Sequence, residues 1–353
     1  MTWTYSEDRK HIILGEPPKR FKYITGTRFA SILGLNPYST PFKIWCECTR
    51  LVTPPFEETI YTKAGKIIEK FQREYVATKF PNIVSPEEYF GNIFDDVRWN
   101  FFGTENNPFQ GCWDAVSTKN NGKDIVMVVE FKTANSPVKW VNNNVPIYYE
   151  LQGALYAKLL GLDKVLFVVS FLNQMDYAHP ENFVPNESNT KMIVKKLSDI
   201  FVEYNGEYLG IDDLMIKANE IWENNIKTGI SVPFDETLDK EYLDIIRKSK
   251  PSEDTELDVL CEEAIKLAKQ IKETENSSNI ASLKKELKVL ENSIKETMQE
   301  KNLDNCGAYT LKRTVKSTFN EERFAEENEK LYNKYCEDVV TYKLTKTLKE
   351  EEQ

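Results

Sequence analysis

The stretch VVEFKTAN, Val128 to Asn135, sets an acid and a lysine into what otherwise reads as a buried β-strand. Val126, Met127, Val128 and Val129 form an apolar run, and Glu130 and Lys132 follow with one residue between them. Side chains two apart on a strand point to the same face. A lone E-x-K is weak by itself, since surface strands carry such pairs. Here the apolar run reads as buried on both faces, and an acid beside a lysine there needs a partner or a cation.

One aspartate, Asp114 in GCWDAV, lies in the preceding strand candidate, NPFQGCWDAVSTKN, which the turn NNG separates from KDIVMVVEFKTA. If these strands pair, Asp114 and Glu130 converge at one end of a sheet. Two carboxylates held close repel unless a cation sits between them. Oxygen ligands of this kind suit Mg²⁺ or Mn²⁺ rather than zinc.

Outward from this pair, the chain to about Leu172 alternates helical and strand patterns in the manner of an α+β or α/β domain. TGTRFASILG opens on small polar residues and ends in Gly34, and NPYSTPFKIWCECTRL restarts a helix after a proline turn. YTKAGKIIEKFQREYVATKF is amphipathic, with Ile67, Ile68, Phe71, Tyr75 and Val76 on its apolar face. The helix PIYYELQGALYAKLLG and the strand KVLFVVSFL follow, so helices, a hairpin, a helix and a strand gather around one sheet. DYAHPENFVPNESNT reads as a loop, KMIVKKLSDI as a strand and DLMIKANEIWENNIKTG as a helix.

Residues 1–235 are therefore expected to form the core domain and 236–353 a second region. In the latter, ELDVLCEEAIKLAKQIKETE and IASLKKELKVLENSIKETMQEK read as a helical hairpin turning at NSSN. Ile280, Leu283, Leu287, Leu290 and Ile294 form a coiled-coil-like seam, either packed on the neighbouring helix or offered to a partner. GAYTLKRTVKSTF reads as a short basic hairpin, followed by a frayed end.

The 353 residues, 41% hydrophobic and 12% aromatic, suit a soluble globular protein with a substantial core. No apolar run approaches the ~20 residues that span a bilayer, and the first residues lack a secretory pattern, so a cytoplasmic, non-membrane protein is expected. Six scattered cysteines point to reduced thiols rather than a disulfide framework. The formal net charge of −10 argues against a general nucleic-acid binder, but not against a local basic channel. Acid concentrates in NEERFAEENEK and KEEEQ, and base in PPKRFK and TLKRTVK.

Taken with its surroundings, G-x-x-D followed by E-x-K on the next strand resembles the PD-(D/E)XK nuclease superfamily. Trp113 stands where that pattern has proline and Ala115 where glycine is frequent. Gly65-x-x-x-Glu69 matches a helix that supplies a further acid in the phage and RecB-like branches, although a solvent-facing glutamate would look the same. Gln152 and Tyr156, at i and i+4 with Pro146 and Tyr149 before them, resemble the Q-x-x-x-Y signature; an amphipathic helix with Tyr156 in the core would also fit. KRFKYITGTRFASILGLNPYSTPFKIW is similar to the opening of the lambda-type, YqaJ-like phage recombination exonucleases, with the turn Ile24-Thr25-Gly26-Thr27 and Arg20 ahead of it.

The resemblance implies a central mixed β-sheet flanked by helices and a Mg²⁺-dependent double-strand DNA exonuclease, running 5′ to 3′. Asp114 and Glu130 would ligate metal together with the Phe131 carbonyl, and Glu69 would complete the shell directly or through water. Lys132 would orient the attacking water, Gln152 would position Lys132 or the nucleophile, and Tyr156 would contact the DNA backbone. Arg20, a forked donor, and Thr27, at a helix N-terminus, would hold a terminal phosphate. The family also implies DNA ends as substrate, a ring-shaped homo-oligomer and a single-strand annealing protein as partner. An endonuclease or single-strand nuclease on the same core, or a silent DNA-binding module, are the competing readings.

Other chemistries find little support. Cys46, Cys48, Cys112, Cys261, Cys306 and Cys336 lack the cluster an iron–sulfur nuclease needs. With only His11 and His179, a histidine-based zinc site or triad is poorly supported. No P-loop is present to drive unwinding by ATP.

Overall fold

A computed structural model describes residues 2–346 apart from 54, 56–57, 81, 98–100, 103–106, 121, 123, 249–254, 274–279 and 320–335. The chain divides into two compact units, Met1–Phe234 and Asp235–Gln353.

The first unit is built on a five-stranded mixed sheet: β1 (Ile83–Val84), β2 (Ala115–Lys119), β3 (Asp124–Ala134), β4 (Lys164–Phe171) and β5 (Thr190–Lys196), in that spatial order. The β3–β4 pair is parallel and the other pairs are antiparallel. A parallel step needs a crossover, and the helix between β3 and β4 provides it. Helices α1 (Gly26–Ile32), α2 (Pro41–Cys48), α3 (Ile60–Ala77) and α4 (Ile147–Leu159) complete the central sheet flanked by helices that the sequence led us to expect.

Alternation along β3 divides the core. Val128 joins Trp113, Tyr156 and Phe167 on the α4 side of the sheet, whereas Val129 and Phe131 join Val76 on the α3 side. Helix α4 is buried from Glu150 to Ala157, on every side of its axis. Helix α3 starts at Thr59, whose side chain accepts the Thr62 N–H. Its most buried line is Ala64, Ile68, Gln72 and Val76, with Ile67, Phe71 and Tyr75 half-buried, so the helix is turned slightly from the expected apolar face. Gln72 takes the place of an apolar residue.

Two local expectations are corrected. The segment read as NPFQGCWDAVSTKN is not one strand: Phe109–Gln110 pairs in parallel with Ile24–Thr25, and β2 begins at Ala115. Gly111, at φ +134°, lets the chain turn between them. The segment from Asp176 is not all loop, because α5 (Gln174–Ala178) forms behind an Asn173–Asp176 capping box. Further along, Ile211–Ile221 forms α6. Among the described residues no helix is long and apolar enough to cross a membrane.

In the second unit, α7 (Thr255–Glu273) and α8 (Ile280–Glu300) pack through Leu257, Cys261 and Ala264 against Ile294 and Met298, with the seam residues Leu287 and Leu290 partly buried beside them. This is the packing reading of the seam. The turn at NSSN, the acidic segment NEERFAEENEK and the last residues, read as frayed, lie outside the described residues. GAYTLKRTVKSTF is not a hairpin: β7 (Tyr309–Phe319) is one long strand between β6 (Asn305–Cys306) and β8 (Cys336–Lys346). Its longer pairing partner, β8, is remote in sequence, where local patterning gives no sign of it.

Candidate active site

The register of β2 and β3 assembles the site. Ala115 faces Val129, so Asp114, one residue before β2, arrives beside Glu130 and accepts the Phe131 N–H at 2.9 Å. Lys132, two residues beyond Glu130, points to the same side. Its Nζ lies 2.8 Å from Glu130 Oε2 and 3.4 Å from Asp114 Oδ2. From α4, the Gln152 amide donates to the same Glu130 Oε2 at 2.9 Å. Glu130 is 0% exposed, and its other oxygen, Oε1, is buried with no hydrogen-bond partner.

The electrostatics follow from this crowding. Burial, reinforced by the charge of Asp114, pushes the Glu130 carboxyl up to about 8. Glu69 on α3 is pushed up to about 7, again by burial and then by Asp114, although its Oε1 accepts from Arg73 Nη2 at 2.8 Å. Burial works against the Lys132 ammonium, but Asp114 and Glu130 outweigh it and hold the group charged. Lys132 thus compensates Asp114 and Glu130, and Arg73 compensates Glu69.

Glu69, Asp114 and Lys132 line one cleft of about 770 Å³. Its floor is braced by a residue that sequence patterning passes over. Gln72 donates to the Lys132 carbonyl at 2.8 Å and to Ser170 Oγ at 2.9 Å, tying α3 to β3 and β4. Its sequence signal is its place three residues after Glu69, inside the apolar line of α3. Tyr149, which precedes the Gln152–Tyr156 pair in the signature, has Lys132 Nζ 5.4 Å from its ring centroid. Gly65 also lines the cleft, but a Cβ there would meet Thr133 at an ordinary 3.8 Å, so packing does not demand glycine.

Asp114, Glu130, Lys132, Glu69 and Gln152 are brought together, with Gln152 bound to Glu130 rather than to Lys132. Phe131 contributes its N–H to Asp114. The DNA contact expected of Tyr156 gives way to a packing role. Tyr156 is 3% exposed, its hydroxyl accepts the Gly26 N–H at 3.3 Å, and its ring is enclosed by Gly26 and Gly111. A Cβ at either glycine would lie within 2.7 Å of a Tyr156 atom. Arg20 is exposed on the loop after the strand Ile12–Leu14, and Thr27 is exposed in the first turn of α1, its hydroxyl 3.0 Å from that of Thr25. Neither lines the cleft.

Among the described residues no three or more His, Cys, Asp or Glu side chains are already arranged around a metal position. The donor set nonetheless fits a hard cation. The orphaned Glu130 Oε1, the neighbouring Asp114 and the pressed-up Glu69 are all oxygen donors, and Lys132 inserts its own charge between two of them.

The model of the YqaJ-like viral recombinase domain matches residues 17–158, which include all the residues just described except Ser170. An uncharacterised protein of Mycoplasma genitalium, MG373, is 30% identical over 243 residues, 60% of this chain and 83% of that protein. Its uncharacterised homologue in Mycoplasma pneumoniae is 28% identical over 250 residues, with the same shares covered. Among solved structures, an alkaline exonuclease of Laribacter hongkongensis, LHK-Exo, in complex with dAMP, has 12% identity and a TM-score of 0.39 over 63% of this chain and 94% of its own. A phage-related exonuclease of Haemophilus somnus has 13% identity and a TM-score of 0.34 over 58% of this chain and 96% of its own. The chain belongs to one family with MG373, and its residues 17–158 carry the YqaJ-like viral recombinase domain.

Proposed function

We propose that this chain is a divalent-metal-dependent DNA exonuclease that trims double-strand ends from the 5′ side for recombination. The observation that carries the reading is the junction of Asp114, Glu130 and Lys132, one ammonium shared between two carboxylates, with Asp114 and Lys132 lining a cleft and Glu130 buried behind them. Family membership supports DNA as the substrate.

Asp114, Glu130 and Glu69, with the Phe131 carbonyl, would hold Mg²⁺ or Mn²⁺. When bound, such an ion supplies a more acidic water and charge neutralisation on the phosphate oxygens. Lys132, held charged by its two acids, orients the attacking water and offsets the negative charge that grows on phosphorus. Gln152 fixes the carboxylate that holds Lys132, so it acts by positioning. Gln72 fixes the backbone of Lys132 from the other face of the sheet.

Arg20 and Thr27 serve as the grip on the terminal 5′-phosphate and give direction. Loss of the preference for a 5′-phosphorylated end in Arg20→Ala supports that grip; an unchanged preference removes it. The exonuclease reading is tested on linear and closed circular duplex DNA with and without Mg²⁺. Degradation of the linear form alone, and only with the ion, is expected. Cutting of the circle would make the protein an endonuclease.

A further inference from the structure

The cleft that holds Asp114 and Lys132 is walled by tyrosines that the hydrolytic machinery leaves unused. Tyr38 is 70% exposed and meets Tyr148, on α4, edge-on at 5.6 Å. Tyr61, on α3, is 57% exposed and meets Tyr177, on α5, edge-on at 4.9 Å. All four rings line the same cleft as the acids. Scattered exposed aromatics need no explanation. Two edge-to-face pairs on one catalytic cleft are another matter, because Tyr38 and Tyr61 remain more than half exposed there to whatever enters.

Charge narrows what that is. The charged residues lining the cleft are Lys132 and Lys139 against Glu69 and Asp114, so it offers no surplus of cations to grip a phosphate backbone by itself. Lys139 is partly engaged as well, its Nζ 5.9 Å from the Tyr38 ring centroid. Beyond the metal ion and the Arg20–Thr27 grip proposed above, retention of a nucleic acid in this cleft can draw on the rings. Aromatic side chains hold nucleotides by stacking on base faces, and every base has one. In a duplex those faces are covered by neighbouring pairs, so only unpaired bases can use them.

We propose that Tyr38–Tyr148 and Tyr61–Tyr177 are base-stacking walls, and that the cleft admits an unpaired DNA strand whose bases rest on these tyrosines while its phosphate reaches Asp114 and Lys132. This rests on the nuclease reading of the site. It deepens that reading by making the immediate substrate a frayed or single-stranded end, with little dependence on base identity.

The test uses the full chain in EDTA, to stop hydrolysis, and fluorescence anisotropy with two probes. One is a labelled oligothymidine, and the other is the same backbone carrying abasic residues. Wild-type protein is expected to bind oligothymidine about tenfold or more tightly than the abasic strand. Tyr38→Ala and Tyr61→Ala should each lose a comparable factor on oligothymidine, and Tyr38→Phe and Tyr61→Phe should keep the wild-type affinity. Equal binding of the two probes by wild-type protein overturns the proposal without reference to any variant, and so does unchanged affinity in both alanine variants. If wild-type protein still degrades linear DNA with Mg²⁺ in those cases, the nuclease reading stands. A wild-type protein that neither binds nor degrades DNA overturns both.

Discussion

The Gln152 side-chain amide donates to Glu130 Oε2 at 2.9 Å, and Lys132 donates to that same oxygen at 2.8 Å. The buried carboxylate is thereby held from one side, with Oε1 left turned away and unpartnered. Gln152→Ala removes a neutral donor from a buried charge, which should lower stability by about 1–3 kcal/mol. Groups that orient metal ligands typically affect metal affinity or activity by about 10–100-fold, so nuclease activity should fall within that range. Thermal melts and Mn²⁺ titrations of the variant measure the two effects.

Removal of Lys132 leaves two acids facing each other without compensation. Lys132→Ala should destabilise the metal-free protein by about 3–5 kcal/mol, as expected for breaking a buried pair from one side. The double variant Glu130→Gln with Lys132→Met removes both charges and should recover most of that loss. Urea unfolding of the single and double variants checks the comparison; equal stability would mean that Lys132 is not the compensating charge.

The acid cluster sets a pH dependence for the metal-free protein. Glu69, near 7, and Glu130, near 8, are raised above the ordinary carboxylate value of 4.5, so the folded state binds their protons more tightly than the unfolded chain. Their favourable contribution is complete below about 4.5 and is lost as pH rises through 7 and 8. Divalent cation should therefore raise Tm more at pH 8 than at pH 6, and binding at pH 6 should release protons. Differential scanning fluorimetry at both pH values, with and without Mg²⁺, reads the sign.

Tyr156 separates packing from DNA contact. Gly26→Ala would place a Cβ 2.6 Å from Tyr156 Cζ, a clash expected to cost about 1–3 kcal/mol. Tyr156→Phe removes only the hydroxyl that accepts the Gly26 N–H and should cost about 1 kcal/mol, with affinity for oligothymidine unchanged. A large loss of DNA affinity in Tyr156→Phe would restore the contact role.

The reach of the sequence is clearest in β3, where period two places Glu130 and Lys132 on one face, and pairing with the preceding strand candidate brings Asp114 beside them. Other features escaped because their determinants are not local. An i, i+4 pair such as Gln152 and Tyr156 shares a helix face, but α4 is buried on every side, so the face does not reveal whether it meets DNA or core. Gln72 sits inside the apolar line of α3, but the partners that make its 1% exposure tolerable, a backbone carbonyl and a serine, come from separate strands. Strand β7 pairs with β8, remote in sequence, so TLKRTVK offered no partner to find. The Asn173–Asp176 capping box starts a helix only five residues long, too short to show a helical period in a segment that reads as a loop.

Asp114, Glu130 and Lys132 are proposed above to form one metal-dependent hydrolytic centre. The most direct measurement is release of acid-soluble nucleotide from linear duplex DNA in Mg²⁺ by wild-type protein and by Asp114→Asn. The wild type is expected to release nucleotide only with the ion, and Asp114→Asn to fall by at least about a hundredfold while retaining a cooperative melt. Full Mg²⁺-dependent release by Asp114→Asn would contradict the account.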